Sequence, residues 1–384
     1  MKKINVLIMP TEVCNMNCVY CFHNNYYQKQ GKMSLETLKR VYDVLFSSYS
    51  DVVIIWHGGE PLIMGEDFYR KAIEMQRSFP NIHVVNRMQS NVTLMTETMA
   101  ELLHEENISV GTSFDGVQNE ILRGNSDKIL LGREKILKFG DSCGFIMVLS
   151  KKNVDTLITS YEYFKKLKAN YNINTYVSTT AENNSELALD PVYTSEKIKN
   201  FFDYWVDDNT CNIHVDYFER IIRYFCRGEK GVCKYNSCLG KWIGIRYNGD
   251  IMPCNRFFPD EYKYGNVWDI EKLEDVFESE GFELLLRQAI DRRYKCQKCE
   301  IFSYCSGGCN NVALHENGIM NNGGVTCIIT KNIFLYVKKW MEENIYSKDW
   351  YTNIKNPMLR KVLLGTTKKR GNYEGHHDFY VDCR

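Results

Sequence analysis

The chain has 384 residues, 44% hydrophobic and 25% charged, enough for a large core and two domains. Lys plus Arg and Asp plus Glu number 48 each, so the net charge is zero and no global field draws the chain to nucleic acid. No uncharged apolar stretch is long enough to span a bilayer, which excludes a helical membrane protein.

The N-terminal MKKINVLIMPTE carries an apolar run ended by Pro10, too short for the core of a secretory signal. A cytosolic location is therefore expected, with no membrane partner. There the 15 cysteines stay reduced, and an odd total fits pairing poorly, so metal or cluster ligation is the better expectation. The first half reads as six strands, at 4–9, 51–56, 82–88, 108–114, 145–150 and 173–180. Their β-branched runs are continuous rather than alternating, as in parallel strands covered on both faces. Helical patterns lie between them, with Ser34 and Thr96 as N-caps and another helix starting at Asn153. Six strand–helix units in series predict an α/β fold, a partial (β/α)6 barrel with its functional groups on loops after the strands.

After about residue 225 the alternation stops and cysteines become dense. The segment WIGIRYNGDIMPC reads as a hairpin turning at Asn248-Gly249, followed by a helical stretch, TKNIFLYVKKWMEENIY. The expected division is a barrel core at 1–225, a small cysteine-rich domain at 226–345 and a flexible polar tail at 346–384, with the basic run 368–370 solvated.

Directly after the first strand comes CNMNCVYC, which holds Cys14, Cys18 and Cys21 in a C-x3-C-x2-C spacing. Three thiolates can hold three irons of a [4Fe–4S] cluster and leave the fourth iron open, a mark of reactivity. A zinc site needs a fourth ligand, and His23 stands close enough in sequence to serve. On the triplet alone both readings stay open.

Tyr20 precedes the third cysteine, and HGGEP (57–61) ends the second strand. Together these resemble the radical S-adenosylmethionine (SAM) superfamily. The resemblance implies that the open iron binds SAM and that reductive cleavage yields a 5′-deoxyadenosyl radical able to abstract hydrogen. It implies SAM contacts from Tyr20 and from the Gly58, Gly59, Glu60, Pro61 stretch. Asn91, in QSN (89–91), and Ser113, in SFDG (113–116), take the ribose and methionine parts, and Arg123 is a candidate for the carboxylate.

Downstream, Cys238 and Cys254 frame a C-x10-G-x4-C pattern, and Cys296, Cys299, Cys305 and Cys309 form C-x2-C-x5-C-x3-C, followed by Cys327. With Cys233, this is similar to the SPASM domain found on many radical SAM enzymes that modify peptides and proteins. The resemblance implies two auxiliary [4Fe–4S] clusters, one on Cys233, Cys238, Cys254 and Cys309, the other on Cys296, Cys299, Cys305 and Cys327. With the SAM-binding cluster that makes three. Two zinc ribbons are the competing reading of the C-x2-C pair. Cys143, Cys211, Cys226 and Cys383 read as core or incidental thiols.

The substrate divides the family. Anaerobic sulfatase maturases, which turn Ser or Cys into formylglycine, share WHGGEPL and the short N-terminus. Many maturases of ribosomally made peptides carry a leader-recognition domain, and only thirteen residues precede Cys14, so none is expected here. The sulfatase branch typically has an aspartate, thought to act as the base, where this chain has Asn255, and an amide accepts no proton in that way. The expected function is therefore oxidation or cross-linking of a ribosomally made peptide, with sulfatase maturation the alternative. No general base is assigned. A non-catalytic iron–sulfur or zinc scaffold is the reading from another class. The resemblance also implies an electron donor such as flavodoxin or ferredoxin.

Overall fold

The computed structural model describes residues 2–22, 31–178, 186–231, 233–235, 238–256, 258–345 and 350–365. His23, the end of the expected sixth strand (179–180), the basic run 368–370 and Cys383 lie outside the described residues.

Strands β1 (Lys3–Met9), β2 (Asp51–Trp56), β3 (His83–Ser90), β4 (Ser109–Ser113), β5 (Phe145–Leu149) and β6 (Tyr171–Thr175) pair in parallel, each with the next in chain order. Intervening helices cover the outer face: α1 (Leu35–Phe46), α2 (Glu66–Arg77), α3 (Glu97–Glu105), α4 (Ser126–Leu137) and α5 (Leu157–Lys166). The Ser34 and Thr96 side chains accept from the N–H groups of Thr37 and Met99, caps worth about 1 kcal/mol each. Both faces of the strands are apolar because both are buried. Ile4, Val6 and Ile8 of β1 join the main core, while Leu7 packs with Val53 and Ile55 in a second cluster, against which Cys233 and Cys254 lean. This is the α/β barrel-type architecture expected from the strand–helix series.

The cysteine-rich part is less separate than expected. β7 (Trp242–Arg246) pairs in parallel with β1, from Asn5 opposite Trp242 to Met9 opposite Arg246. The hairpin to β8 (Asp250–Met252) turns at Gly249, whose φ of 88° suits the glycine, and β9 (Gly265–Asn266) follows. Among the described residues one sheet thus runs β6-β5-β4-β3-β2-β1-β7-β8-β9. The open edge of β1 is satisfied by backbone pairing with the downstream segment.

Helices α6 (Pro191–Asp207) and α7 (Asp216–Arg227) close the first part, and α8 (Glu280–Cys296), α9 (Asn310–Asn317) and α10 (Val325–Asn344) carry the rest. Phe202 of α6 meets Trp340 of α10 edge-on at 5.4 Å. The expected flexible tail also contains structure: α11 (Pro357–Leu364) is capped by Asn356 and buries Leu359 and Val362. A capping Asn, a Pro at the first turn and an i, i+3 apolar pair outweigh the polar composition around them. No described helix is long and apolar enough to cross a membrane.

Candidate active site

The loop after β1 is held from below. The buried Thr11 hydroxyl donates to Gly31 O (2.9 Å) and accepts from Val13 N (3.1 Å), and Cys21 N donates to Cys18 O (3.1 Å). Cys14, Cys18 and Cys21 lie within electrostatic reach of one another. Burial, with Glu60 and the other two thiols, pushes Cys14 up to about 11, even though Met16 N donates to its sulfur. A cluster would take these three groups as thiolates, because ligation replaces each proton by iron.

The end of β2 lies directly on this loop. Gly58 has φ 108°, and a Cβ there would stand 2.3 Å from Thr11 O; at Gly59 it would stand 2.3 Å from Val13 O. The absence of side chains lets Gly59 N donate to Thr11 O and Glu60 N to Val13 O, both at 2.9 Å. Glu60 is fully buried, and its carboxylate accepts from Leu62 N (2.9 Å), Ser90 Oγ (2.7 Å) and Asn91 N (2.7 Å). Burial raises its pKa and these three donors pull it back. Glu60 therefore ties the end of β3 to the end of β2. Pro61 serves the same scaffold, its carbonyl accepting from the Tyr69 hydroxyl (2.8 Å).

A second network fixes the far wall. The Tyr20 hydroxyl donates to Asp115 Oδ2 (2.5 Å) and accepts from Arg123 Nη1 (2.7 Å), and Asp115 Oδ1 accepts from Val148 N (2.8 Å). The Arg123 guanidinium also lies over the Tyr20 ring, 5.9 Å from its centre. Burial and the Asp115 charge drive Tyr20 well up, so the phenol stays protonated and serves as a donor.

These elements line an open cavity. Its wall holds Cys14, Cys18, Tyr20, Cys21, Gly58, Gly59, Asn91 and Arg123 from the sequence-derived set. Glu60, Pro61 and Ser113 stand behind the wall; buried Ser113 accepts from Gln89 Nε2 (3.1 Å), and Gln89 is the one that faces the cavity. Sequence reasoning missed His57, Asn174, Tyr176 and Asn311 on the same wall. Arg256 completes the wall and donates to Asn311 Oδ1 at 3.4 Å, so the downstream part supplies one side of the cavity. Asn255 is fully buried off the wall, and neither amide atom has a hydrogen-bond partner among the described residues.

The remaining cysteines fall into two neighbourhoods. Burial, then the thiols of Cys233, Cys309 and Cys254, push Cys238 well up. Cys254 is pushed up to about 12 by burial and by Cys309 and Cys233, against the Arg256 backbone and charge. Burial and Cys327, Cys296 and Cys299 push Cys305 up to about 12, and Cys327 is raised by burial and by Cys296 and Cys299. The two four-thiol groups draw no member from each other in these contacts. Among the described residues no three His, Cys, Asp or Glu side chains close on a single metal ion. Cys143 and Cys211 are buried apart from both groups, and Cys226 is exposed.

Comparison with known proteins agrees with this geometry. Residues 8–164 match the radical SAM superfamily, and residues 233–300 match SPASM, an iron–sulfur cluster-binding domain. The chain belongs to the radical SAM enzymes and carries a C-terminal SPASM domain; its cofactors are SAM and iron–sulfur clusters. It is 27% identical over 345 residues to a serine-type anaerobic sulfatase-maturating enzyme of Bacteroides thetaiotaomicron, covering 80% of this chain and 83% of that one. It is 26% identical over 331 residues to a cysteine-type enzyme of Clostridium perfringens, covering 80% and 89%. The solved structure of native anSMEcpe with bound AdoMet shares the fold at a TM-score of 0.79 and 24% identity, over 88% of this chain and 98% of that one. Streptococcus suis SuiB bound to S-adenosylmethionine shares it at 0.61 and 18%, over 85% and 77%.

These relatives correct one expectation. The main reading, a maturase that oxidises or cross-links a ribosomally made peptide, is overturned by chain-long similarity to sulfatase-maturating enzymes. That reading gave one residue, Asn255, more weight than the rest of the chain. Asn255 is fully buried and is not among the residues lining the cavity.

Proposed function

We propose that this protein is an anaerobic sulfatase-maturating enzyme, which oxidises a serine or cysteine of a sulfatase peptide to formylglycine. The observation that carries the reading is similarity to serine-type and cysteine-type enzymes of that activity across 80% of the chain. When bound, SAM and its cluster supply the 5′-deoxyadenosyl radical that removes hydrogen from the substrate.

The chain's own residues divide the remaining work. Cys14, Cys18 and Cys21 hold the SAM-binding cluster, and Gly58 and Gly59 allow SAM to approach the backbone. Asn91, Tyr20 and Arg123 contact SAM, with Arg123 held in place by the Tyr20–Asp115 pair. Glu60, Pro61 and Ser113 act from behind by fixing the strand ends. Cys233, Cys238, Cys254 and Cys309 hold one auxiliary cluster, and Cys296, Cys299, Cys305 and Cys327 hold the other. Arg256 and Asn311 face the substrate from the SPASM side. A peptide substrate is supported by the related structure of native anSMEcpe, which binds AdoMet and the Cp18Cys peptide. A small reductant protein, flavodoxin or ferredoxin, supplies electrons in the cytosol. Domains at 1–225 and 226–345 match this division of labour, and the edge-strand pairing of β7 with β1 holds them in register.

The test is anaerobic incubation of the reconstituted protein with SAM, a reductant and sulfatase-motif peptides carrying either Cys or Ser. Mass spectrometry is expected to find formylglycine on at least one. SAM cleavage without product on either peptide counts against the proposal.

A further inference from the structure

Arg292 is one of the largest fully buried side chains, 2% exposed, in the last turns of α8. Its guanidinium donates to Gly307 O (2.9 Å), Ile319 O (2.5 Å) and Asn310 Oδ1. All three acceptors are neutral. A cation removed from water demands an opposing charge nearby, or its burial is uncompensated. Burial accordingly pulls its pKa down, while Cys309 and Cys238 from one thiol group and Cys296 and Cys305 from the other push it up. Those four sulfurs, anionic once they ligate iron, are the partners set against this charge. Asn310 extends the link: it accepts from Arg292, and its Nδ2 stands 4.0 Å from Cys238 Sγ. Gly307 and Asn310 also flank Cys309, so the guanidinium grips the backbone between cysteines of different groups.

We propose that Arg292 is a shared electrostatic anchor for two auxiliary clusters, and that its fixed charge raises the reduction potential of both. The inference rests on the reading of the eight cysteines as two cluster sites. Ligated thiolates carry no proton, and each cluster gains negative charge on reduction. A buried cation stabilises the reduced form more than the oxidised form, and an interior of low dielectric lets it act on both sides. Arg292 touches neither SAM nor substrate. It is a positioning residue that acts through the clusters.

The test uses the full-length protein, reconstituted anaerobically, with Cys14→Ala, Cys18→Ala and Cys21→Ala so that only auxiliary sites load. Redox titration followed by electron paramagnetic resonance reads both midpoints. Arg292→Gln is expected to lower both at unchanged iron content, and Arg292→Lys, which keeps the charge, to lower them less. Unchanged midpoints in a fully loaded Arg292→Gln protein overturn the inference, and movement of only one overturns the shared role. Should Arg292→Gln fail to load, Asn310→Asp sets a carboxylate against the guanidinium and is expected to lower both midpoints; no change there also overturns it. If the protein with Arg292 intact binds no auxiliary iron, the cluster reading itself fails, an outcome distinct from immobile potentials.

Discussion

The two cysteine regions are built on opposite principles. Around Cys14, Cys18 and Cys21 the protein assembles its own scaffold: a parallel sheet, two glycines seated on the loop, and Glu60 accepting three hydrogen bonds. Between Cys233 and Cys327 regular pairing is sparse. Three short strands, helices α8 and α9 and buried Arg292, whose acceptors among the described residues are neutral, share this stretch with eight thiols. A site that must bind and release SAM gains from a rigid bed that exists without it. A site that holds permanent clusters can let those clusters supply the cohesion.

Removing iron should break the comparison most visibly. Chelation is expected to strip hydrogen-exchange protection from 233–327 while β1–β6 stay protected; uniform loss would make the regions equivalent. Next comes Gly59→Ala, whose Cβ meets Val13 O at 2.3 Å and must displace the loop. A displacement on the order of 1 Å near the reacting groups predicts a loss of about 10²-fold in SAM cleavage, read as 5′-deoxyadenosine release. Glu60→Gln is milder. It turns one accepting oxygen into an amide NH2 facing N–H or O–H donors and should cost about 1–3 kcal/mol in denaturant unfolding.

Asp208, remote from both cysteine regions, gives the smallest effect. Burial works to raise its pKa, but Lys165, Thr210 and Tyr161 hold it at about 2, below the ordinary 3.8. A depressed carboxylate contributes stability above the unfolded value and loses it as pH falls from about 4 towards 2. Asp208→Asn should therefore cost about 1–2 kcal/mol at neutral pH and flatten that acid limb of the unfolding curve.

Much of the first region was legible because its signals are local. β-branched runs marked the strands, and Ser34 and Thr96 marked helix starts through a bond made within three residues. The cysteine spacings mark candidate ligands locally, but their division into two groups of four came from the family resemblance. What stayed hidden depends on long-range contact. Nothing in WIGIR says that it will pair with β1, more than two hundred residues earlier. Ser113 falls behind the wall and Gln89 faces the cavity because the register of β3 and β4 sets which side chain points inward. Asn174 and Asn311 look like surface amides until the fold places both on the cavity wall. Asn255 misled for the same reason: the sequence does not show that its side chain is fully buried while its neighbour Arg256 lines the cavity.

The most direct measurement follows one hydrogen atom. A sulfatase-motif peptide with deuterium on the Cβ of its target Cys or Ser is incubated anaerobically with the reconstituted enzyme, SAM and a reductant. Deuterium is expected in the released 5′-deoxyadenosine together with formylglycine in the peptide. Undeuterated 5′-deoxyadenosine with an unchanged peptide would contradict it.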